Sequence, residues 1–187
     1  MFNEEYQRQN FKDHIATFTD YGNVKILDFK NPNSNHYRIR FLFEEDFYRL
    51  HISGDLGELI AVNYNNMVYD RFSDFVNNIG YFREKVVCHN RHFYNYEHDK
   101  AEKDLTEILK ALDYYEDELE EKVDEILEHF YDEGLSNSET AYKLLSEIDS
   151  DCFEYIDTIG RESSGILELY MLAFKMAKEQ LKEKANE

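Results

Sequence analysis

The stretch HYRIRFLFEEDFYRLHIS, residues 36–53, carries the pattern on which the fold depends. In its first half Tyr37, Ile39, Phe41 and Phe43 fall on one face, and in its second half Tyr48, Leu50 and Ile52 do. A period of two residues is typical of a β-strand with one buried and one exposed face. The acidic segment between the two halves is short, so the stretch predicts a β-hairpin.

Turn signals and further candidate strands surround this hairpin. The segments NPNSN (residues 31–35) and GDLG (residues 54–57) are rich in residues that favour turns. Outside them, VKILDF (residues 24–29) and ELIAVNY (residues 58–64) are typical of strands. We therefore predict an antiparallel sheet of three to five strands within residues 22–65, with one face packed and the other exposed to water.

On both sides of the sheet the apolar residues recur at a helical period. Residues 3–18 predict a short helix, residues 69–87 predict a helix that covers the sheet, and about five helices in all are expected after the sheet. The fold class is therefore α+β, with a sheet in the N-terminal third and a mostly helical, acidic C-terminal half. We expect residues 1–100 to hold the N-terminal helix, the sheet and its covering helix, and residues 101–187 to form an acidic helical bundle. The two parts are either two domains or one continuous domain.

Charge divides along the same line. The chain has 40 acidic residues and 21 lysines and arginines, a net charge of −19. Residues 1–100 hold 15 acids and 12 bases, and residues 101–187 hold 25 acids and 9 bases, so the second part carries −16. Such a surface repels phosphates, which argues against direct binding to DNA or to an anionic membrane. It attracts basic surfaces instead.

The acidic segment DYYEDELEEKVDEILEHFYDEG, residues 113–134, is the first candidate binding site. Eleven of its 22 residues are acidic. On a helical wheel, six acids face away from the apolar sector: Asp117, Glu121, Asp124, Glu125, Glu128 and Asp132. They would form a continuous stripe with carboxylates one turn apart, comparable to the spacing of successive phosphates on a nucleic-acid strand. Either this stripe occupies a basic groove on a partner, or it is only a solvated face.

The exposed face of the predicted sheet is the second candidate. Arg38, Arg40, Arg49 and His51 should share one orientation on adjacent strands. A basic sheet face with aromatic neighbours can contact RNA. The alternative is a solvated face, or one whose bases pair with acidic residues.

Catalytic and metal-binding signals are weak. The segment CHNRH contains Cys88, His89 and His92, which are zinc-ligand types, but no second pair completes a tetrahedral set. We therefore predict neither a metal site nor a cofactor. Nucleotide-binding and hydrolase motifs are absent from the sequence, which favours a binding protein over an enzyme. The enzymatic alternative is a hydrolase that uses His51, His89 or His92.

The stretch DFKNPNSNHYRIRFLFEEDFYRLHISGDLGELIAVNY, residues 28–64, resembles small acidic proteins of Firmicutes phages and mobile elements. That group includes type II anti-CRISPR proteins, which inhibit Cas9. The resemblance covers about a fifth of the chain and transfers no catalytic residue. It implies a counter-defence protein whose partner is a Cas9-type nuclease or its guide-RNA complex.

Two other functions remain open at this point. The first is a nuclease or other hydrolase that acts on guide RNA or target nucleic acid. The second is a phage regulatory or scaffold protein with no defence target. In each case we expect the cytoplasm of the host bacterium, because the N-terminus shows no secretory pattern and no apolar run reaches 18 residues. The sequence leaves the oligomeric state open.

Overall fold

The structure, a computed structural model, describes residues 2–186. Its helices in this range are Glu4–Asn10 (α1), Ser73–Val76 (α2), Ile79–Arg83 (α3), His98–Ala111 (α4), Leu119–Leu127 (α5), Glu139–Ser146 (α6) and Ile166–Ala185 (α7). Its strands are Ile15–Asp20 (β1), Val24–Lys30 (β2), Ile39–Glu44 (β3), Arg49–Gly54 (β4), Leu59–Val62 (β5), Val86–His89 (β6), Tyr94–Tyr96 (β7) and Arg161–Ser163 (β8). The predicted α+β class is confirmed.

Strands β1 to β6 form one antiparallel sheet in sequence order, and β7 pairs with β8 in a separate two-stranded ribbon. The predicted hairpin is present: β3 pairs with β4, and Phe41 lies opposite Ile52. Five of the side chains expected to face inward are buried on one side of the sheet: Ile39, Phe41, Phe43, Leu50 and Ile52. Tyr37 is only half-buried, and the expectation is wrong for Tyr48, which is exposed because it lies in the turn before β4. The alternation in the sequence thus predicted both the hairpin and its packed face.

The sheet is larger than predicted, with six strands rather than three to five. Four of them lie within residues 22–65 as expected, and β1 and β6 flank them. The helix predicted for residues 3–18 is wrong beyond Asn10, because residues 15–20 pair with β2. The spacing of Phe11, Ile15 and Phe18 fits a helical stripe. However, long-range pairing outweighs local period in a segment that is also rich in β-branched residues.

The chain forms two compact units. Residues 2–93 and 165–186 form the sheet unit, and Tyr94–Ser164 forms the acidic unit. This division differs from the predicted one at residue 100, because α7 groups with the sheet and not with the acidic helices. The apolar residues of α7 join the sheet's core, so the sequence between β6 and α7 is an insertion.

Aromatic side chains fill the core of the sheet unit. The ring of Phe174 on α7 meets the ring of Phe72 at 4.7 Å and that of Phe41 at 5.4 Å, both edge to face. Such arrangements stabilise a core beyond the area they bury. Helix α7 thereby closes one face of the sheet, and the opposite face displays the alternate side chains of each strand.

Helix α7 also protects an edge of the sheet. The Gln180 side chain accepts a hydrogen bond from the Ala16 N–H at 3.0 Å and donates one to the His14 carbonyl at 2.8 Å. Unpaired backbone groups at an edge strand invite pairing with other chains. The glutamine satisfies two such groups where β1 begins.

The acidic unit has its own apolar core. Leu105 and Leu109 of α4 pack with Val123 and Ile126 of α5 and with Leu145 of α6, and all five are buried. Across residues 2–186, none of the helices combines the length and apolarity needed to cross a membrane.

Candidate acidic binding surface

The six acids of the predicted stripe are all exposed, but they lie on three kinds of backbone. Glu121, Asp124 and Glu125 are on α5, and Glu128 is its C-terminal cap residue. Asp117 lies in a 3₁₀ turn before the helix, and Asp132 lies in the tight turn that ends at Gly134. Only three of the six acids therefore lie on α5 itself, which has nine residues.

The prediction of one continuous helix through residues 113–134 is therefore wrong. After Leu127 the backbone tightens, since His129 and Phe130 donate to the carbonyls three residues earlier. The helix dipole disfavours negative charge at a C-terminal end, and a longer helix would add Asp132 to Glu125 and Glu128 there. The last turn of α5 has no basic residue to offset this cost.

The two faces of α5 separate as expected. Leu119, Val123, Ile126 and Leu127 are buried, so the acids on the other side face solvent. One acid of the set is paired: Lys122 Nζ lies 2.5 Å from the Glu125 carboxylate. That hydrogen bond raises the pKa of Lys122. The net negative charge of the set is thus reduced at one position.

Acidic charge extends well beyond the predicted stripe. The acidic unit holds 23 acids and 6 bases, a net of −17, while the rest of the chain holds 17 and 15, a net of −2. Of the 23 acids, all but Asp104 and Asp149 are exposed. Three of the six bases pair with acids inside the unit: Lys100 with Asp104, Lys122 with Glu125 and Arg161 with Asp157. The candidate surface is therefore the whole unit rather than one helix face.

Several members of this surface were absent from the predicted site. Glu102 and Glu107 lie on α4, and Glu139 lies on α6 with Glu147 as its cap residue; all four are exposed. Their sequence signal is the same helical separation of acids from apolar residues that marked residues 113–134. The sequence contains this signal, but the prediction was restricted to residues 113–134, where the acids are densest.

The predicted basic sheet face is present in part. Arg40, Arg49 and His51 lie on the face opposite the core, as their alternation with buried residues predicted. Arg38 lies in the loop before β3, with its guanidinium 3.5 Å from the Asn35 side-chain oxygen. Arg38 and Arg40 also line one depression of about 330 Å³ on this side of the sheet.

Acidic neighbours neutralise this face. The Arg40 guanidinium donates to both oxygens of Asp28, at 2.7 and 2.9 Å. Glu44 lies 3.0 Å from His51 Nε2 and 3.6 Å from Arg49. The strand register brings each acid beside its base, which single-strand alternation cannot reveal. Arg40 and Arg49 thus each pair with an acid of the same face, which reduces the positive charge available to a phosphate.

A second depression, of about 490 Å³, contains several side chains relevant to the hydrolase alternative. His51, His89, Cys88 and Glu44 line it, whereas His92 lies exposed in the segment after β6. The His89 ring stacks on Phe93, and its Nδ1 lies 2.7 Å from the Arg91 carbonyl oxygen. Over residues 2–186, the histidines, cysteines and acids form no group of three placed to hold a metal ion.

Comparisons of the chain with protein-family models, with curated proteins and with solved structures found no match.

Proposed function

We propose that this protein is a counter-defence inhibitor that places its acidic unit in a basic nucleic-acid groove of a nuclease. The observation that supports the proposal is the segregation of charge: a 71-residue unit carries −17 of the chain's −19. The resemblance of residues 28–64 to phage proteins favours a Cas9-type nuclease, or its guide-RNA complex, as the target. The proposal places the protein in the cytoplasm of the bacterial host, where that target acts.

Exposed carboxylates suit this role because a nucleic-acid groove is lined with lysine and arginine. Long-range attraction between the two surfaces speeds their encounter, and salt screens it. No single carboxylate needs to be strong, since an exposed ion pair contributes about 0.2–1 kcal/mol. A surface of 21 exposed acids reaches useful affinity by number.

The decisive experiment adds the purified protein to Cas9, guide RNA and target DNA and follows cleavage. We expect inhibition at near-equal amounts of inhibitor and nuclease, with the guide RNA and target DNA intact and with weaker inhibition at high salt. Uninhibited cleavage at large excess, in low salt, would contradict the proposal. A result independent of salt would contradict the role of the acidic unit.

Variants then assign the inhibition to the acidic unit. Neutralising the set Asp117→Asn, Glu121→Gln, Asp124→Asn, Glu125→Gln and Glu128→Gln should slow association and weaken binding by roughly 1–5 kcal/mol in total. The matched control neutralises five exposed acids of the sheet unit: Glu5, Asp13, Asp46, Asp74 and Glu84. If both sets weaken binding equally, total charge and not the acidic unit is responsible.

A hydrolase is the second candidate function, and one observation favours it. His51 is paired with Glu44 at 3.0 Å beside the depression that also contains His89. A histidine oriented by a carboxylate is a common general base. The hydrolase hypothesis predicts shortened guide RNA or target DNA under multiple-turnover conditions, with loss of cleavage in His51→Gln. Intact nucleic acid at every enzyme concentration would rule it out.

A further inference from the structure

The acidic unit contains a depression of about 760 Å³, which we call the aromatic depression. Three aromatic residues and three acids are among the residues that line it: Tyr96, Phe130, Tyr131, Glu97, Asp132 and Glu133. Carboxylates cover the whole unit and do not by themselves mark a site. The three aromatic residues distinguish this place, because an aromatic face attracts the same cations that a carboxylate pairs with.

Two of the rings are held in place by the backbone around them. Gly134 has φ 77°, and a Cβ there would lie 2.6 Å from the Tyr96 ring. Gly160 has φ 73°, and a Cβ there would lie 2.9 Å from the Phe130 ring. Each ring therefore lies directly against a glycine, and the Tyr96 hydroxyl also donates to the Asp157 carbonyl at 3.3 Å. The aromatic walls are thus formed before a ligand arrives, which lowers the cost of binding one.

The charge of the depression is not neutralised from within the chain. Among the described residues that line it, none is a lysine or an arginine. The ion pairs of the acidic unit lie elsewhere, and within residues 2–186 none of them involves Glu97, Asp132 or Glu133. Glu133 accepts a hydrogen bond from the Asn137 side-chain amide, a neutral group that leaves the carboxylate charged. Three aromatic rings and three carboxylates therefore lie together without a cation.

The same unit already holds one cation between a ring and an acid. The Arg161 guanidinium lies 4.6 Å from the centre of the Tyr94 ring and 3.0 Å from the Asp157 carboxylate. A guanidinium suits such a place because it is planar, is weakly hydrated and pairs with carboxylates through several N–H groups. The aromatic depression offers the same two kinds of group, with no arginine of its own.

We propose that the aromatic depression is a binding site for the guanidinium group of an arginine side chain on a partner protein. The binding site depends on the acidic unit alone, whereas its use against a nuclease rests on the proposed function. Lysine is the poorer ligand, because its ammonium is compact, strongly hydrated and unable to stack on a ring. Phosphates are repelled by the three carboxylates.

Nuclear magnetic resonance of the full chain tests the site with two probes of equal charge, N-acetylarginine amide and N-acetyllysine amide. We expect the arginine probe to give saturable shifts centred on residues 96–98 and 130–137, with affinity at least about threefold higher than that of the lysine probe. Shifts spread evenly over the exposed acids of the unit would overturn the proposal. Equal affinity for the two probes would overturn the assignment to guanidinium.

Variants with a matched control locate the site. Tyr131→Ala with Asp132→Asn should weaken binding of the arginine probe at least about tenfold, because a ring and a charge are lost together. Tyr115→Ala with Glu116→Gln removes the same kinds of exposed group outside the depression, and equal weakening there overturns the proposal. Glu133→Gln, which keeps every ring and is a milder change, should weaken binding about threefold. Unchanged affinity in a folded Glu133→Gln protein contradicts the role of this carboxylate.

The nuclease assay separates this inference from the proposed function. Inhibition of cleavage by a protein that does not bind the arginine probe overturns the guanidinium site and leaves the proposed function standing. Binding of the arginine probe at the depression, together with uninhibited cleavage, overturns the proposed function and leaves the site standing.

Discussion

The two units of this protein differ in net charge and in the side chains that form their cores. The sheet unit is nearly neutral and has a core of interlocking aromatic rings, whereas the acidic unit carries −17 around a core of aliphatic side chains. Repulsion among exposed acids opposes compaction, so the acidic unit holds its charge against a smaller apolar core. The difference teaches that the chain concentrates its excess negative charge in one unit and its aromatic core in the other.

The largest effect on stability is expected from a variant that removes the ring at the centre of the aromatic core. Phe174→Ala should lower the free energy of unfolding by about 3–5 kcal/mol, because the ring packs against Phe41, Phe43, Phe72 and Tyr69. Denaturant unfolding followed by circular dichroism measures it, with Lys175→Ala at the neighbouring exposed position as the control. A loss below about 1 kcal/mol would show that the sheet unit does not depend on α7.

The corresponding test in the acidic unit is Gly134→Ala. Gly134 has φ 77°, and a Cβ there would lie 2.6 Å from the Tyr96 ring. We expect a loss of about 1–3 kcal/mol from backbone strain, with a further cost from the collision. Gly22→Ala, which has φ 81° and open space around the added carbon, controls for strain alone. Equal losses in the two variants would mean that contact with Tyr96 contributes nothing.

A smaller effect on stability, which depends on pH, is expected from a buried histidine of the sheet unit. His14 of the sheet unit is buried between Phe11 and Phe29, its Nε2 lies 3.2 Å from the Tyr37 carbonyl oxygen, and burial lowers its pKa below 6.5. The folded state therefore binds fewer protons than the unfolded state, so this contribution to stability is present above pH 6.5 and is lost as pH falls towards the folded pKa. Thermal melting at several pH values, compared with His14→Gln, measures it. Identical pH slopes would contradict the prediction.

The smallest effect is expected from the acidic helix itself. Asp124→Asn removes repulsion with Glu120 and Glu128, each four residues away along α5, and removes negative charge from its last turn, so it should stabilise the acidic unit by about 0.2–0.5 kcal/mol per pair. The gain should shrink at high salt. Melting at low and high salt measures it, and Glu5→Gln on α1 is the control. Destabilisation by Asp124→Asn would show that this carboxylate has a structural partner.

Features set by neighbouring residues in one strand were predicted from the sequence, whereas features set by pairing between distant segments were not. The hairpin and its buried face follow from alternation within each strand, and both were predicted. Strand β1 was assigned to a helix because Phe11, Ile15 and Phe18 fit a helical stripe, and only its pairing with β2 identifies it as a strand. Strand β6 was also missed, because it begins at the end of the segment predicted as a helix, residues 69–87.

The same distinction applies to the candidate sites. Exposure of the six predicted acids follows from a helical wheel and was correct for all six, although the helix is shorter than expected. The neutralisation of Arg40 by Asp28 depends on the register between β2 and β3, which the residues of one strand do not specify. Charge counts were visible in the sequence, and the observed boundary at Tyr94 changes the net charge of the acidic part only from −16 to −17.

The discontinuity of the sheet unit has a consequence for synthesis on the ribosome. All six strands are translated before the acidic unit, and the helix that covers their apolar face is translated after it. At ordinary rates of about 5–20 residues per second, the nascent sheet waits several seconds with its phenylalanines uncovered. The insertion begins and ends in the β7–β8 ribbon, where Tyr94 pairs with Ser163, so it can close on itself during that interval. A highly charged segment that folds first would keep the growing chain soluble until α7 emerges.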